Sequence, residues 1–158
     1  MMKNTRIVYL SFTKAQLNNL LLFIDDFDAY DKEEKMEDRF GHIDLNVRHN
    51  FQQALIEHFF PKEKRFGYFK IDSKIEMTQV LIKALQCAEF DFEHFVEYLS
   101  EEYSLPYSWV VQRKVQNYRM IYEEVYRMVV RYWGAELTAA GLDLPSEQAL
   151  NIPSEEQA

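Results

Sequence analysis

The sequence predicts a predominantly α-helical protein, a compact helical bundle with one long C-terminal helix. Apolar residues recur every three or four positions through most of residues 72–138, hydrophobic residues make up 47% of the chain, and only four glycines and four prolines interrupt its 158 residues. A mainly α fold that also carries a small two- or three-stranded sheet, and is therefore α+β, is the alternative. We expect residues 1–141 to form a single globular domain and residues 142–158 to form a flexible acidic tail, because that tail is rich in Pro, Ser, Glu and Gln.

Three short segments are the strand candidates. Residues 6–12 are rich in β-branched and aromatic side chains, residues 42–48 alternate between apolar and polar side chains, and residues 66–71 combine aromatic residues with a glycine. The 42–48 segment fits equally well as the lead-in to the helix that follows it.

The helices of the N-terminal half have recognisable boundaries. Thr13 is a predicted N-cap, and Gln16 completes a capping box three residues later. Residues 28–40 are too charged to bury, so we expect a solvated loop or an exposed helix there. A further helix is predicted to begin at about Asn50 and to end before Pro61, since proline cannot continue it.

From residue 72 onward the pattern is helical throughout. Asp72 or Ser73 is predicted to cap one helix and Asp91 the next. Pro106 belongs in the first turn of a new helix. The final helix is therefore predicted over residues 107–138, and Ala140-Gly141 is a normal signal for its end.

The formal net charge of −8 is unevenly distributed. Residues 67–103 and residues 135–158 each carry −5, whereas residues 104–134 carry +3. Such patches occur on ordinary solvated surfaces, but they also suit a protein whose acidic and basic surfaces meet different partners. The acidity favours a partner with a basic surface.

Motifs for catalysis and for cofactor binding are missing from the sequence. There is no G-x-S-x-G, no phosphate-binding glycine loop, no dinucleotide fingerprint and no histidine spacing typical of a metal site. We therefore predict no enzyme activity, no catalytic residue, no metal and no cofactor. The single cysteine excludes an intramolecular disulfide, and no apolar run is long enough for a signal peptide or a membrane helix, so a cytoplasmic location without a membrane partner is expected.

An aromatic stripe with flanking arginines runs along the predicted final helix. Tyr, Trp and Arg are enriched in protein interfaces and at their energetic centres. The alternative is that the stripe packs on the domain's own core. The predicted partner-binding or homodimer face consists of Tyr118, Tyr122, Tyr126, Trp133, Arg119, Arg127 and Arg131.

Residues 92–117 fit a helix, a short turn and a second helix, the order found in helix-turn-helix DNA-binding units. Glutamates on the first of these helices, such as Glu97, argue against DNA because that helix would cross the phosphate backbone. The predicted nucleic-acid contacts are Ser108, Gln112, Arg113 and Lys114.

These observations lead to two hypotheses about function. The first is a non-catalytic protein–protein interaction module of the inhibitor, immunity or anti-defence type, which binds and occludes or assembles a partner with a basic surface. A homodimer through the 107–138 helix is a separate expectation. The second is a DNA-binding regulator that uses residues 92–117.

Overall fold

The computed structural model describes residues 11–27, 33–99, 109 and 114–154, and within these residues all regular structure is helical. The predicted class, a helical bundle with a long C-terminal helix, is confirmed. The helices are α1 (Lys14–Leu21), α2 (Glu33–Phe40), α3 (Arg48–His58), α4 (Ile71–Gln86), α5 (Phe92–His94) and α6 (Tyr118–Ala139). Short 3₁₀ turns cover Asp25–Phe27 and Arg65–Tyr68, and a π-helical turn, Phe95–Leu99, continues α5.

Helix α6 is the centre of the bundle. Every residue from 120 to 129 is buried, although a helix at the surface of a domain would expose one side. Helices α3, α4 and α5 pack against α6, and α1 packs against α4. The remaining core is largely aromatic, and its bulkiest fully buried side chains outside α6 are Trp109, Phe23, Phe27, Phe40, Phe51, Phe59, Phe60, Phe66 and Phe95.

Two predicted helix caps are confirmed by their hydrogen bonds. The Gln16 backbone N–H donates to Thr13 Oγ1 at 3.0 Å, and the Thr13 N–H donates to Gln16 Oε1 at 2.9 Å, which completes the capping box. The His94 N–H donates to Asp91 Oδ1 at 3.0 Å at the start of α5. Local sequence is sufficient for these features because both partners lie within four residues.

The strand predicted over residues 42–48 is wrong, and the alternative, a lead-in to the next helix, is what the structure has. The Asp44 side chain accepts a hydrogen bond from the Asn46 N–H at 2.9 Å, and the Asp44 carbonyl accepts one from the Val47 N–H at 3.0 Å. These bonds form a turn. Ile43 and Leu45 are nevertheless buried, whereas Val47 is exposed, so two of the three apolar residues of the alternation point inward from this turn.

The other two strand candidates do not form strands within the described residues. Residues 6–10 lie outside the described residues, and the two that follow form a turn. Residues 65–68 form a 3₁₀ turn in which the Phe66 N–H donates to the Phe59 carbonyl at 2.8 Å. Helix α4 begins directly afterwards at Ile71, before the predicted caps Asp72 and Ser73. The aromatic composition of this segment reflects burial of Phe66 rather than sheet formation.

The charged stretch from residue 28 to 40 was predicted as a loop or an exposed helix. Residues 28–32 lie outside the described residues, and the rest forms α2, whose Met36 and Phe40 are buried. Glu33, Glu34 and Asp38 remain exposed. Two inward apolar residues one turn apart are enough to hold this helix on the core.

The last helix begins later than predicted. Asn117 caps α6 by accepting a hydrogen bond from the Met120 N–H at 3.3 Å, and residues 114–117 are not helical. The Asn46 side chain holds this segment, because its amide donates to the Lys114 carbonyl at 3.1 Å and accepts from the Gln116 N–H at 2.8 Å. A partner 70 residues away in sequence thus determines where the helix starts.

Residues 142–154, which composition predicts to be part of a flexible tail, lie against α6 instead. Gly141 has a φ of +91°, which turns the chain at the helix end. The Tyr126 hydroxyl donates to the Pro145 carbonyl at 2.5 Å, and Arg119 Nη2 donates to the Leu150 carbonyl at 2.7 Å. Because the contacts move back along α6 as the chain proceeds, this segment, the C-terminal strap, runs antiparallel to α6. Residues 155–158 lie outside the described residues.

We expect Leu150→Ala to lower the free energy of unfolding by about 3 kcal/mol, since Leu150 is fully buried. Urea unfolding followed by circular dichroism measures this difference. Gln148→Ala is the control, because Gln148 lies in the same strap but is exposed. Equal unfolding midpoints for Leu150→Ala and the wild type would show that the strap does not pack in solution.

Candidate functional site

The aromatic stripe of α6 lies in the core of the domain rather than on its surface. Tyr118, Tyr122, Tyr126 and Trp133 are each at most 4% exposed. The structure thus has the alternative to the predicted partner-binding face, in which the stripe packs on the domain's own core. Of the three arginines in that prediction, only Arg131 is exposed, whereas Arg119 and Arg127 take part in a buried charge network.

That network centres on two adjacent carboxylates in the middle of α6. Arg48, at the start of α3, places Nη2 at 2.7 Å from Glu123 Oε1 and Nη1 at 2.7 Å from Glu124 Oε2. Gln52, one turn further along α3, donates to the other oxygen of Glu124. Both glutamates are at most 3% exposed, so these contacts replace the water that the carboxylates lose on folding.

Two arginines of α6 complete the charge balance. Arg119 Nε lies 3.0 Å from Glu123 Oε2, and Arg127 Nη1 lies 3.3 Å from Glu124 Oε2. Arg127 Nε also lies 3.1 Å from Glu147 Oε1, which belongs to the C-terminal strap. The network therefore joins α3, α6 and the strap.

The pKa of Arg48 shows which effect dominates. Burial alone would lower this pKa, but the hydrogen bonds and the attraction of Glu124 and Glu123 raise it above the ordinary value for arginine. Arg48 is thus charged in the folded protein, and its interaction with Glu123 and Glu124 is an ion pair. Its two nitrogens bind a different carboxylate each, a geometry that lysine cannot reproduce.

We expect Arg48→Met to lower the free energy of unfolding by about 3 kcal/mol, because it leaves two buried carboxylates short of a partner. Arg131→Met, which removes an exposed arginine from α6, should change stability by less than about 0.5 kcal/mol. Urea unfolding of both variants measures the difference. In the Arg48→Met background, Glu124→Gln should recover part of the loss; a further loss of similar size would contradict this account.

Three tyrosines of α6 have raised pKa values. Burial, followed by the effect of Glu97, raises the pKa of Tyr118 well above its usual range, and burial together with Asp25 does so for Tyr122. Burial, followed by the charge of Glu147, raises the pKa of Tyr126 to about 12. Each hydroxyl therefore stays protonated at neutral pH and acts as a hydrogen-bond donor.

A raised tyrosine pKa contributes stability that is complete below the unfolded-state value of 10 and is lost as pH rises toward the folded-state value. We expect the free energy of unfolding to fall between about pH 10 and 12. Tyr126→Phe should reduce the size of that fall, because phenylalanine does not ionise. Urea unfolding across this range tests the expectation, with Tyr68→Phe, an exposed position, as the control.

Of the four predicted nucleic-acid contacts, Ser108, Gln112 and Arg113 lie outside the described residues. Lys114 is exposed but lies in the non-helical segment before α6. Trp109 is buried, and its indole N–H donates to the Phe40 carbonyl at 3.0 Å. The second helix of the predicted 92–117 unit would include residues 114–117, and the prediction is wrong for these four residues because they are not helical.

The exposed charge of the described chain is strongly acidic on α4 and near α5. We call Asp72, Glu76, Glu89 and Glu93 the α4–α5 carboxylates; all four are exposed, and none makes an ion pair with another described residue. The lysines of this region are largely engaged elsewhere. Lys74 is buried against Glu136 and Trp133, and Lys83 donates to the Ser11 carbonyl.

A cleft of about 250 Å³ lies on the opposite side of α3 from the charge network. Sequence reasoning missed it as a site. The sequence signal that was available is a second polar face on α3, formed by polar residues that recur at helical spacing. The residues that line the cleft are His42, Ile43, Asn50, Gln53, Ala54, Glu57 and His58.

Comparison of the chain with protein-family models, with curated proteins and with solved structures gave no match. Its function must therefore be inferred from its own residues.

Within the described residues, no group of three or more His, Cys, Asp or Glu side chains is arranged to hold a metal ion. None of the helices in this part of the chain has the length and apolar character needed to cross a membrane.

Proposed function

We propose that this protein is a non-catalytic interaction module that binds a partner with a basic surface through the α4–α5 carboxylates. Occlusion of that basic surface is its action, as in an inhibitor or an immunity protein. The observation that carries the proposal is the distribution of charge: Arg48, Lys74, Arg119 and Arg127 are buried or half-buried and paired with carboxylates, whereas the α4–α5 carboxylates face solvent without ion-pair partners in the described part of the chain.

The distribution matters because internal pairing changes the charge that a partner meets. Arg48, Arg119 and Arg127 are committed to Glu123, Glu124 and Glu147, and Lys74 is committed to Glu136. The net charge of −8 is thus carried by side chains at the surface. In the α4–α5 region, few exposed cations offset it. Such a surface accelerates association with a cationic partner by electrostatic steering.

The cleft does not favour an enzyme. Its lining residues include no Ser, Cys or Lys that could act as a nucleophile. Its amides, imidazoles and carboxylate can all form hydrogen bonds with a bound ligand.

To identify the partner, we would use the purified protein as bait in an extract of the cells that express it, with and without nuclease. A protein captured in both arms supports the proposal. A capture that nuclease abolishes would instead favour the DNA-binding regulator that the sequence allows.

The captured partner is then purified and its association rate measured at several ionic strengths. We expect the rate to fall at least about tenfold between low and high salt. The variant Asp72→Asn/Glu76→Gln/Glu89→Gln/Glu93→Gln should lower the rate at low salt and reduce its salt dependence.

The matched control is Glu33→Gln/Glu34→Gln/Asp38→Asn/Asp143→Asn. It changes the net charge by the same amount, all four residues are exposed, and each set includes two carboxylates in the first turn of a helix. Equal losses in both variants would show that net charge, rather than the α4–α5 carboxylates, controls association. A rate independent of salt would rule out the proposal.

A further inference from the structure

The C-terminal strap contains a single helical turn whose hydrogen bonds lie within the strap itself. Ser146 begins the turn, because its Oγ accepts a hydrogen bond from the Ala149 N–H at 3.1 Å. Asn151 ends it with a φ of +57°, and the Ile152 N–H donates back to the Glu147 carbonyl at 2.9 Å. The turn therefore needs no contact with α6 to complete its hydrogen bonds.

Three side chains of α6 receive the strap, and we call them the seat: Arg119, Tyr126 and Arg127. The polar contacts between them and the strap run in one direction. Arg119 and Tyr126 donate to main-chain carbonyls of the strap, at Leu150 and Pro145. Arg127 Nε lies 3.1 Å from a carboxylate oxygen of Glu147. The strap thus binds as an acceptor of hydrogen bonds and as an anion.

Charge complementarity shows what kind of segment the seat accepts. The ion pairs of the network join three arginines and three glutamates, and the strap supplies one of these glutamates, Glu147. Without it, the network would have an excess positive charge at Arg127, which is only 4% exposed. A buried charge that has lost its partner is strongly destabilising. The seat therefore requires an acidic segment, with apolar side chains at the positions of buried Leu150 and Ile152.

The link between α6 and the strap contains a hinge at Gly141. At its φ of +91°, the Gly141 N–H donates to the Thr138 carbonyl and the Leu142 N–H to the Leu137 carbonyl, each at 3.0 Å. Glycine adopts ordinary helical angles about as readily as a positive φ. With helical angles α6 would continue, and these two N–H groups would exchange their acceptors. The strap would then point away from its own seat without the loss of these two hydrogen bonds.

Release of the strap from its own seat uncovers Leu142 and Leu144, which are partly buried against the core. In a symmetric pair of chains, each with its strap on the other's seat, the two links run past each other. These leucines can then pack against their counterparts. A single chain with a released strap offers them no such cover, so the open conformation favours a second copy.

We propose that the seat accepts the strap of a second copy of this chain, so that two chains exchange straps across a twofold axis. The second copy fits because its strap carries the carboxylate and the apolar side chains that the seat requires. Each seat keeps the contacts it has in the single chain, so protein concentration and the hinge at Gly141 decide between monomer and dimer. The homodimer expected from the sequence then forms through the strap rather than through the aromatic stripe. This proposal is independent of the proposed function, because the seat does not include the α4–α5 carboxylates.

The first test is the mass of the full-length protein, measured by light scattering after size-exclusion chromatography. The protein is refolded from urea at several concentrations, because exchange requires the strap to leave its seat, and is held until the mass distribution is constant. We expect a dimer whose share rises with concentration. Gly141→Ala should raise the dimer association constant at least about twentyfold, since alanine is strained at a positive φ and the strain is relieved in both chains. A single-chain mass at every concentration for both proteins would overturn the proposal.

Gly141→Asn is the matched control. Both substitutions add a Cβ, which meets no atom of the surrounding structure within 4 Å at this position. Asparagine, unlike alanine, adopts a positive φ routinely, so Gly141→Asn should change the association constant less than about threefold. Equal increases for the two variants would show that the backbone angle at residue 141 does not control the dimer, which contradicts the proposal.

The second test distinguishes strap exchange from a dimer formed at another surface. A donor and an acceptor dye are attached to Arg131→Cys and Gln148→Cys of one chain, both at exposed positions, in a Cys87→Ser background. In the closed chain the dyes lie close together, because Arg127, one helical turn before residue 131, contacts Glu147 of the strap. The labelled chain is refolded with an excess of unlabelled chains. We expect energy transfer within the labelled chain to fall in the dimer fraction.

Two results of the second test would overturn the proposal. A dimer in which energy transfer within the chain equals that of the monomer would have formed at another surface. A chain of monomer mass whose energy transfer falls only when cell extract is added would show that a foreign protein, rather than a second copy, takes the seat.

Discussion

The ion pair between Arg48 and the two adjacent glutamates Glu123 and Glu124 is the interaction on which the rest of the fold depends. A helix buried on all sides cannot carry carboxylates unless its neighbours supply partners, because desolvation costs several kcal/mol for each charge. Helix α3 therefore has to place Arg48 and Gln52 beside these two glutamates, and this requirement fixes the position of α3 along α6. The strap adds Glu147 beside Arg127. Buried polar groups of this kind favour one arrangement of helices over others that would bury the same apolar area.

The same pairing determines the electrostatic character of the surface. Counted along the sequence, residues 104–134 form a basic segment of +3, and this segment suggested contact with nucleic acid. In the fold, Arg119 and Arg127 pair inside the domain with Glu123 and Glu124 of the same segment, so the net charge of +3 is carried by the other three basic residues, Arg113, Lys114 and Arg131. The carboxylates of α4 and α5 have no such partners among the described residues and stay exposed. Charge counted by segment therefore gives the net value but does not show which side chains are paired inside the fold.

Features that depend on neighbouring residues could be predicted from the sequence, whereas features that depend on distant partners could not. The Thr13 and Asp91 caps and the helical periodicity were predictable, since each needs contacts within one or two turns. The start of α6 depends on Asn46, about 70 residues away, and the placement of Glu123 depends on Arg48, 75 residues away. For the strap, the average composition indicated disorder, but buried Leu150 and Ile152 hold it on α6.

Helix α3 shows why the cleft could not be predicted from the sequence. One side of α3 carries Arg48 and Gln52 toward α6, and the opposite side carries Asn50, Gln53 and Glu57 toward the cleft. With polar residues on both sides, the helix lacks the single apolar stripe that marks one face as inward. Yet the inward side is anchored by charge-assisted hydrogen bonds, which are the stronger class. The backbone that carries the side chains of the outer face therefore cannot shift without breaking the buried ion pair. A small binding site needs such rigid support to hold its polar groups in position.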